Sequence, residues 1–161
     1  LAGAGDVVGA AGGAGEGAQK SAGVVQAVQA TPGAIGYVEK GFADQAKLTV
    51  IQIDNGSGAV ELTDESAKKA IEGAKISGTG NDLVLDLNSL YGTTEPGAYP
   101  LVLATYNIVC SKGYDADTAC AVRSFLTVAA NQGQANLAAA GYVPLPDQFK
   151  ERLITAVAAI Q

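Results

Sequence analysis

The stretch ATPGAIGYVEKGFA, residues 30–43, decides how the chain is read. Upstream of it, Val24, Val25 and Val28 recur at helical spacing, which predicts a short helix opening near Ser21. Pro32 and Gly33 end that helix: proline has no N–H to continue the ladder, and glycine accepts the backbone angles of a turn. Ala34, Ile35, Gly36, Tyr37 and Val38 then read as a short buried strand, and FADQAKL (42–48) as another helical piece. Helix, turn, strand and helix in that order predict an α/β chain.

Further along, LTVIQI (48–53) supports a strand, and DNGSG (54–58) is a reversal signalled by Asn55-Gly56. TDESAKKAIEG (63–73) predicts an exposed helix capped by Thr63 or Asp64. Its Asp64/Lys68 and Glu65/Lys69 pairs lie one turn apart on a solvated face. Residues 76–100 read as a surface excursion with one short helix around Val84 to Leu87. YPLVLATYNIVC (99–110) is the most apolar run and predicts a buried strand. Asp115 or Asp117 caps a helix with Val122, Phe125, Leu126 and Ala129 on its apolar face. A shorter helix in NQGQANLAAAG (131–141) stops at Gly141, and Phe149, Leu153, Ile154, Val157 and Ile160 mark a terminal helix.

The 161 residues suffice for one domain with a real core, and 48% apolar content with a net charge of −6 describes a globular, acidic chain. Ten Lys and Arg without a cluster give no basic stripe, which excludes nucleic acid as a partner. The absence of His removes every Ser-His-Asp or Cys-His device and, with only two Cys, any thiolate or imidazole metal site, leaving only an oxygen-ligand site that no motif supports. Asp115 and Asp117 are explained by helix capping, so no hydrolase or other enzyme is indicated. No cofactor is expected. Cys110 and Cys120 allow either a small-loop disulfide or two buried free thiols. Within the glycine-rich start, GAQKSAG (17–23) has two readings: Ser21 caps the helix, or backbone N–H groups, Lys20 and the Ser21 hydroxyl receive an anion there.

Taken together, TPGAIGYVEKGFA (31–43), GAYPLVLATYNIVCSKG (97–113) and VRSFLTVAANQGQANLAAAGYVPLPDQFKERL (122–153) carry a more specific signal. In order and spacing they resemble the C-terminal half of the phosphate-binding protein of the bacterial phosphate ABC transporter. The resemblance covers roughly residues 17–161. It implies an α/β, partial class II periplasmic-binding-protein fold, two-lobed when completed by a missing N-terminal half. Residues 1–98 would be the remainder of the second lobe with its glycine-rich start. Residues 99–161 would be the crossover strand and the C-terminal helices returning to the first lobe.

The implied partners are phosphate, the N-terminal half and the membrane permease. The implied location is extracytoplasmic, in the periplasm or on the outer face of the cell membrane, with lipid anchoring through an N-terminus outside these residues. In that setting Cys110 and Cys120 are expected to be bridged. Ser21 and Gly23 fall where relatives have Asn and Gly of a Gly-Asn-x-Gly pattern, making Ser21 the candidate ligand residue. The family's Arg-x-Asp-x-Ser-Gly-Thr motif is absent: Arg123 precedes Ser124 and Phe125, and SGTGND (77–82) lacks the Arg and Asp before it. A buried phosphate needs a donor for nearly every oxygen, so these residues alone are expected to bind it weakly or not at all. The alternative is a structural or protein-interaction module without ligand binding.

Overall fold

The computed structural model describes residue 15 and residues 17–161. They form two compact units. One comprises the described residues up to Val50 together with Ala140–Tyr142; the other comprises Ile51–Ala139 and Val143–Gln161. The architecture is mixed α/β, with, among the described residues, six α-helices and one small antiparallel sheet of two strands.

In the first unit, α1 (Lys20–Ala30) buries Val25 and gives way to extended backbone at Thr31. The turn that follows is closed by the Ala34 N–H donating to the Thr31 carbonyl at 3.0 Å, with Gly33 at φ +79°. Gly36 then lies against the valine face of α1, where a Cβ would meet Val28 and Val24 methyls at 3.0 and 3.1 Å. The strand expected over residues 34–38 is not formed: Ile35 is 76% and Tyr37 92% exposed, and no ladder joins them. The reason is local geometry plus a missing neighbour. Extended backbone alternates its side chains, so seating Gly36 inward sends Ile35 and Tyr37 outward, and among the described residues no strand pairs with them. The short helix α2 (Lys40–Gln45) follows, with Lys40 paired to Asp44 one turn on. Its Gly41 crosses Gly141 so closely that a Cβ on Gly141 would overlap the Gly41 backbone.

The second unit opens with the hairpin the Asn-Gly signal predicts. Strands β1 (Ile53–Asp54) and β2 (Ala59–Val60) pair Ile53 with Val60 and Asp54 with Ala59. One Asp54 carboxylate oxygen accepts the N–H groups of Gly56 and Gly58 at 2.8 and 3.1 Å, closing the turn. Helix α3 (Asp64–Glu72) starts on a capping box: the Thr63 hydroxyl accepts the Ser66 N–H, and the Ser66 hydroxyl accepts the Thr63 N–H. It is not solvated all round, because Ala67 and Ala70 are buried. Lys69 does not use Glu65; its ammonium reaches Glu95 at 3.4 Å and donates to the Pro96 carbonyl.

The expected helix near Val84 to Leu87 lies further on, as α4 (Leu87–Tyr91), because the Asp86 carboxylate caps the Asn88 N–H and fixes the start after itself. Val84 and Leu85 are extended instead, Leu85 forming an antiparallel bridge with Ile76. Ala70, Leu85, Leu90 and Ala98 make the first core cluster, with Val102, Ala104 and Phe149 packed against it. Val102 and Ala104 are the inward positions of YPLVLATYNIVC. The buried strand expected there is not formed; the alternate residues Leu101 and Leu103 are 62% and 88% exposed, and every residue from Thr105 to Cys110 is exposed. Side-chain alternation is strand-like over residues 101–104 alone, and a strand buried on both faces needs neighbours that the described residues do not supply.

Helix α5 (Ala116–Ala130) and helix α6 (Asp147–Ala158) pack through a second cluster of Leu126, Val157 and Ile160, with Tyr114, Val122 and Leu153 around it. Arg123 donates from Nη1 to the Ile160 carbonyl at 2.7 Å, tying the two together. Phe125, expected inside, is mostly exposed. Residues 131–141 form two 3-10 turns, Gln132–Gln134 and Ala138–Ala140, in place of one helix. The Gln134 side chain fixes this path by donating to the Ala129 carbonyl and accepting the Leu145 N–H.

Of the two cap candidates for α5, Asp115 is the one used. Thr118, through its hydroxyl and then its N–H, holds the Asp115 carboxyl below its ordinary range. A carboxyl depressed on folding adds stability that is full above its unfolded pKa and is lost as pH falls through the folded value. We therefore expect the helicity of α5 to drop on acidification below the ordinary carboxylate range. Asp115→Asn should flatten that acid limb in far-UV circular dichroism while leaving the neutral-pH helix in place, since Asn also caps. An acid limb unchanged in the variant would assign it to other carboxylates.

Candidate functional site at the start of α1

Ser21 occupies the second position of α1, not its cap. The cap residue is Gln19, which makes no side-chain bond to the first turn, and Lys20 enters the helix at φ +57°. Gly23 allows the incoming chain to fold closely over the helix, with Ala18 in van der Waals contact where a Cβ would stand. This leaves the Ser21 hydroxyl pointing across to the start of α2, where it donates to the Glu39 carboxylate. Eighteen residues separate the two, so nothing local in the sequence announces the pair. Glu39 is the functional neighbour that sequence reasoning missed.

That bond decides what the site can do. A hydroxyl carries one proton, and with it given to Glu39 the Ser21 oxygen offers only lone pairs. In this arrangement Ser21 is not a donor to an anion. The Glu39 carboxylate supplies negative charge where the α1 dipole favours it, and would repel a second anion arriving there. The geometry is a clasp between the starts of α1 and α2. Ser21→Ala is accordingly expected to lower stability by about 1 kcal/mol, the worth of one exposed charge-assisted bond. Glu39→Gln should lower it less, because an amide oxygen still accepts. Urea denaturation checks both; a Ser21→Ala variant as stable as the parent would mean the bond does not hold in solution.

The two cysteines do not add a site. Cys110 and Cys120 are free and exposed, so the disulfide expected between them is not formed in the structure. Ala121, Val122 and Phe125 of α5 face residues 107–109 across an apolar groove of about 350 Å3. At about 3.6 residues per turn, Cys120 falls on the flank of α5 turned away from that groove. The groove is lined by no charged side chain. Among the described residues no three His, Cys, Asp or Glu side chains come together, and no helix is long and apolar enough to cross a membrane. Tyrosines serve the backbone instead: the Tyr106 and Tyr114 hydroxyls accept the N–H groups of Leu85 and Cys110 at 3.0 and 2.9 Å. Burial raises the pKa of the Tyr99 phenol.

The PBP superfamily domain matches residues 6–131, and the chain belongs to that superfamily. Among individual proteins, it is 49% identical over 151 residues to phosphate-binding protein PstS 3 of Mycobacterium tuberculosis (strain ATCC 25618 / H37Rv), covering 92% of this chain and 41% of that protein. Phosphate-binding protein PstS 2 of the same organism gives the same identity and the same coverage. Phosphate-binding protein PstS of Methanocaldococcus jannaschii is 33% identical over 147 residues, 86% of this chain and 38% of that protein. The chain thus spans about two fifths of the length of the curated relatives it matches.

Proposed function

We propose that these residues are one part of a solute-binding protein for inorganic phosphate, which carries the anion to an ABC permease and performs no chemistry on it. The observation that carries the reading is 49% identity, over 92% of the chain, to proteins named for phosphate binding. In this reading the chain is the C-terminal part of a two-lobed class II fold. Residues 1–98 complete the second lobe, and residues 99–161 cross back to the first. The unpaired extended runs at 34–38 and 101–109 fit a fold whose remaining strands come from elsewhere. The protein would work outside the cytoplasm, where Cys110 and Cys120 meet an oxidising medium; intact mass under non-reducing conditions tests whether they pair there.

A chimera tests the proposal. The matching 151-residue segment of a 49%-identical relative is replaced by the corresponding residues of this chain, and phosphate is titrated calorimetrically into chimera, parent relative and isolated chain. The chimera is expected to bind phosphate within about tenfold of the parent, a difference of about 1.4 kcal/mol. The isolated chain should give no saturable heat. A folded chimera that ignores phosphate would instead favour a structural or protein-interaction module.

A further inference from the structure

Of the six asparagines, only Asn55 precedes a glycine. That order carries a reaction as well as a turn. Once hydroxide has taken its proton, the Gly56 backbone nitrogen can attack the carbonyl carbon of the Asn55 side chain, and with no Cβ beside it the approach is unhindered. A C–N bond forms; the Nδ2 group takes a proton from water, which restores the hydroxide, and leaves as ammonia. Water then opens the five-membered imide on either side, giving an aspartyl or an isoaspartyl residue. The net change turns one amide and one water into one carboxylate and one ammonium ion, with no electrons transferred.

The fold engages each group that this reaction needs. Asn55 is half-buried, its Nδ2 donates to the Thr93 carbonyl at 2.7 Å, and its Oδ1 accepts the Ser57 hydroxyl at 2.7 Å. Any rotation of the side chain therefore costs one or both bonds. The Thr93 anchor is held in turn, its N–H donating to the Leu90 carbonyl at 3.4 Å and its hydroxyl accepting the Glu95 N–H at 3.2 Å. The nucleophile is occupied too. Its N–H donates to the Asp54 carboxylate at 2.8 Å, and a negative charge there disfavours the amide anion that attack requires.

We propose that Asn55-Gly56 is a deamidation site kept closed by the fold, which reacts when the hairpin of β1 and β2 lifts from residue 93. The change runs one way. A carboxylate at position 55 has no proton to give the Thr93 carbonyl and faces it oxygen to oxygen, so the hairpin does not seat again. The isoaspartyl product also adds a main-chain carbon inside the turn that Asp54 closes. None of this depends on the phosphate reading.

The full chain is incubated at mildly alkaline pH, folded in buffer and unfolded in guanidinium, and the tryptic peptide 48–68 is followed by mass and by separation of its aspartyl and isoaspartyl forms. In the unfolded chain Asn55 is expected to convert well ahead of the other five asparagines. In the folded chain it should convert at least about tenfold more slowly, because reaction then tracks the small open fraction. Ser57→Ala removes one hold and should raise the folded rate severalfold, with the unfolded rate nearly unchanged. Asn55→Asp reports the consequence: amide exchange should quicken over residues 53–60 while α5 keeps its protection. An Asn55 left intact in the unfolded chain, equal rates in the two states, or a folded rate that Ser57→Ala does not move would overturn the assignment. Exchange in Asn55→Asp matching the parent would overturn the one-way release.

Discussion

Replacing Leu90 by Ala should destabilise the second unit by about 3 kcal/mol, the usual loss when a fully buried leucine is cut back and the cavity only partly collapses. Leu90 has no exposed surface and is enclosed by Ala70, Leu85 and Ala98. Two of these three neighbours are alanines, so the site has little with which to refill the space. Domains of this size are held by roughly 5–15 kcal/mol in total, so the change takes a large share. The measurement is a urea transition by circular dichroism, with Leu87→Ala as control. Leu87 belongs to the same short helix but is about half exposed, and its truncation should cost under about 0.5 kcal/mol. Equal losses at the two positions would show that helix propensity, and not the α3/α4 core, governs this region.

Gly141→Val is the second large effect. Gly141 sits at φ +81°, a region that costs a residue with a Cβ about 1–2 kcal/mol, and its Cα rests on the backbone of Gly41. Overpacking adds about 1–3 kcal/mol, and for a backbone neighbour no rotamer change relieves it. A total near 3 kcal/mol is expected, felt in the first unit. Hydrogen exchange should show faster exchange in α2 with α5 unchanged. Gly33→Ala is the comparison: its φ is also positive, but nothing stands within reach of a Cβ, so only the backbone part of the cost applies. If the two variants lose the same stability, the close crossing carries no weight.

Helices α3 and α5 were legible in the sequence because their signals are local, whereas α4 was expected too early and residues 131–141 were expected as one helix. Thr63 and Asp115 each bond an N–H three residues away, and the Asn55-Gly56 reversal closes on its own Asp54; Asp86 caps α4 just as locally and went unread. The strands failed for the opposite reason. Residues 34–38 and 99–110 have strand composition, yet a strand exists only with a partner, and the partner is not written into the run itself. Side-chain pairings across distance were equally hidden. Lys69 has a carboxylate one turn back at Glu65 and still goes to Glu95, because the chain returns past the end of α3 at Pro96. Nothing near Ser21 in the sequence points to its acceptor, Glu39, eighteen residues on.

The first unit is stitched from two separate pieces of the chain, since Ala140–Tyr142 returns to it after an excursion of nearly ninety residues. No single cut can therefore isolate it. A clone ending at Val50 would leave Gly41 without the tripeptide laid across it, and one beginning at Ile51 would carry that tripeptide with nothing to grip. Nicking the chain in the exposed run before Cys110 should, by contrast, leave both sides of the Gly41–Gly141 crossing present and able to stay together as a noncovalent pair.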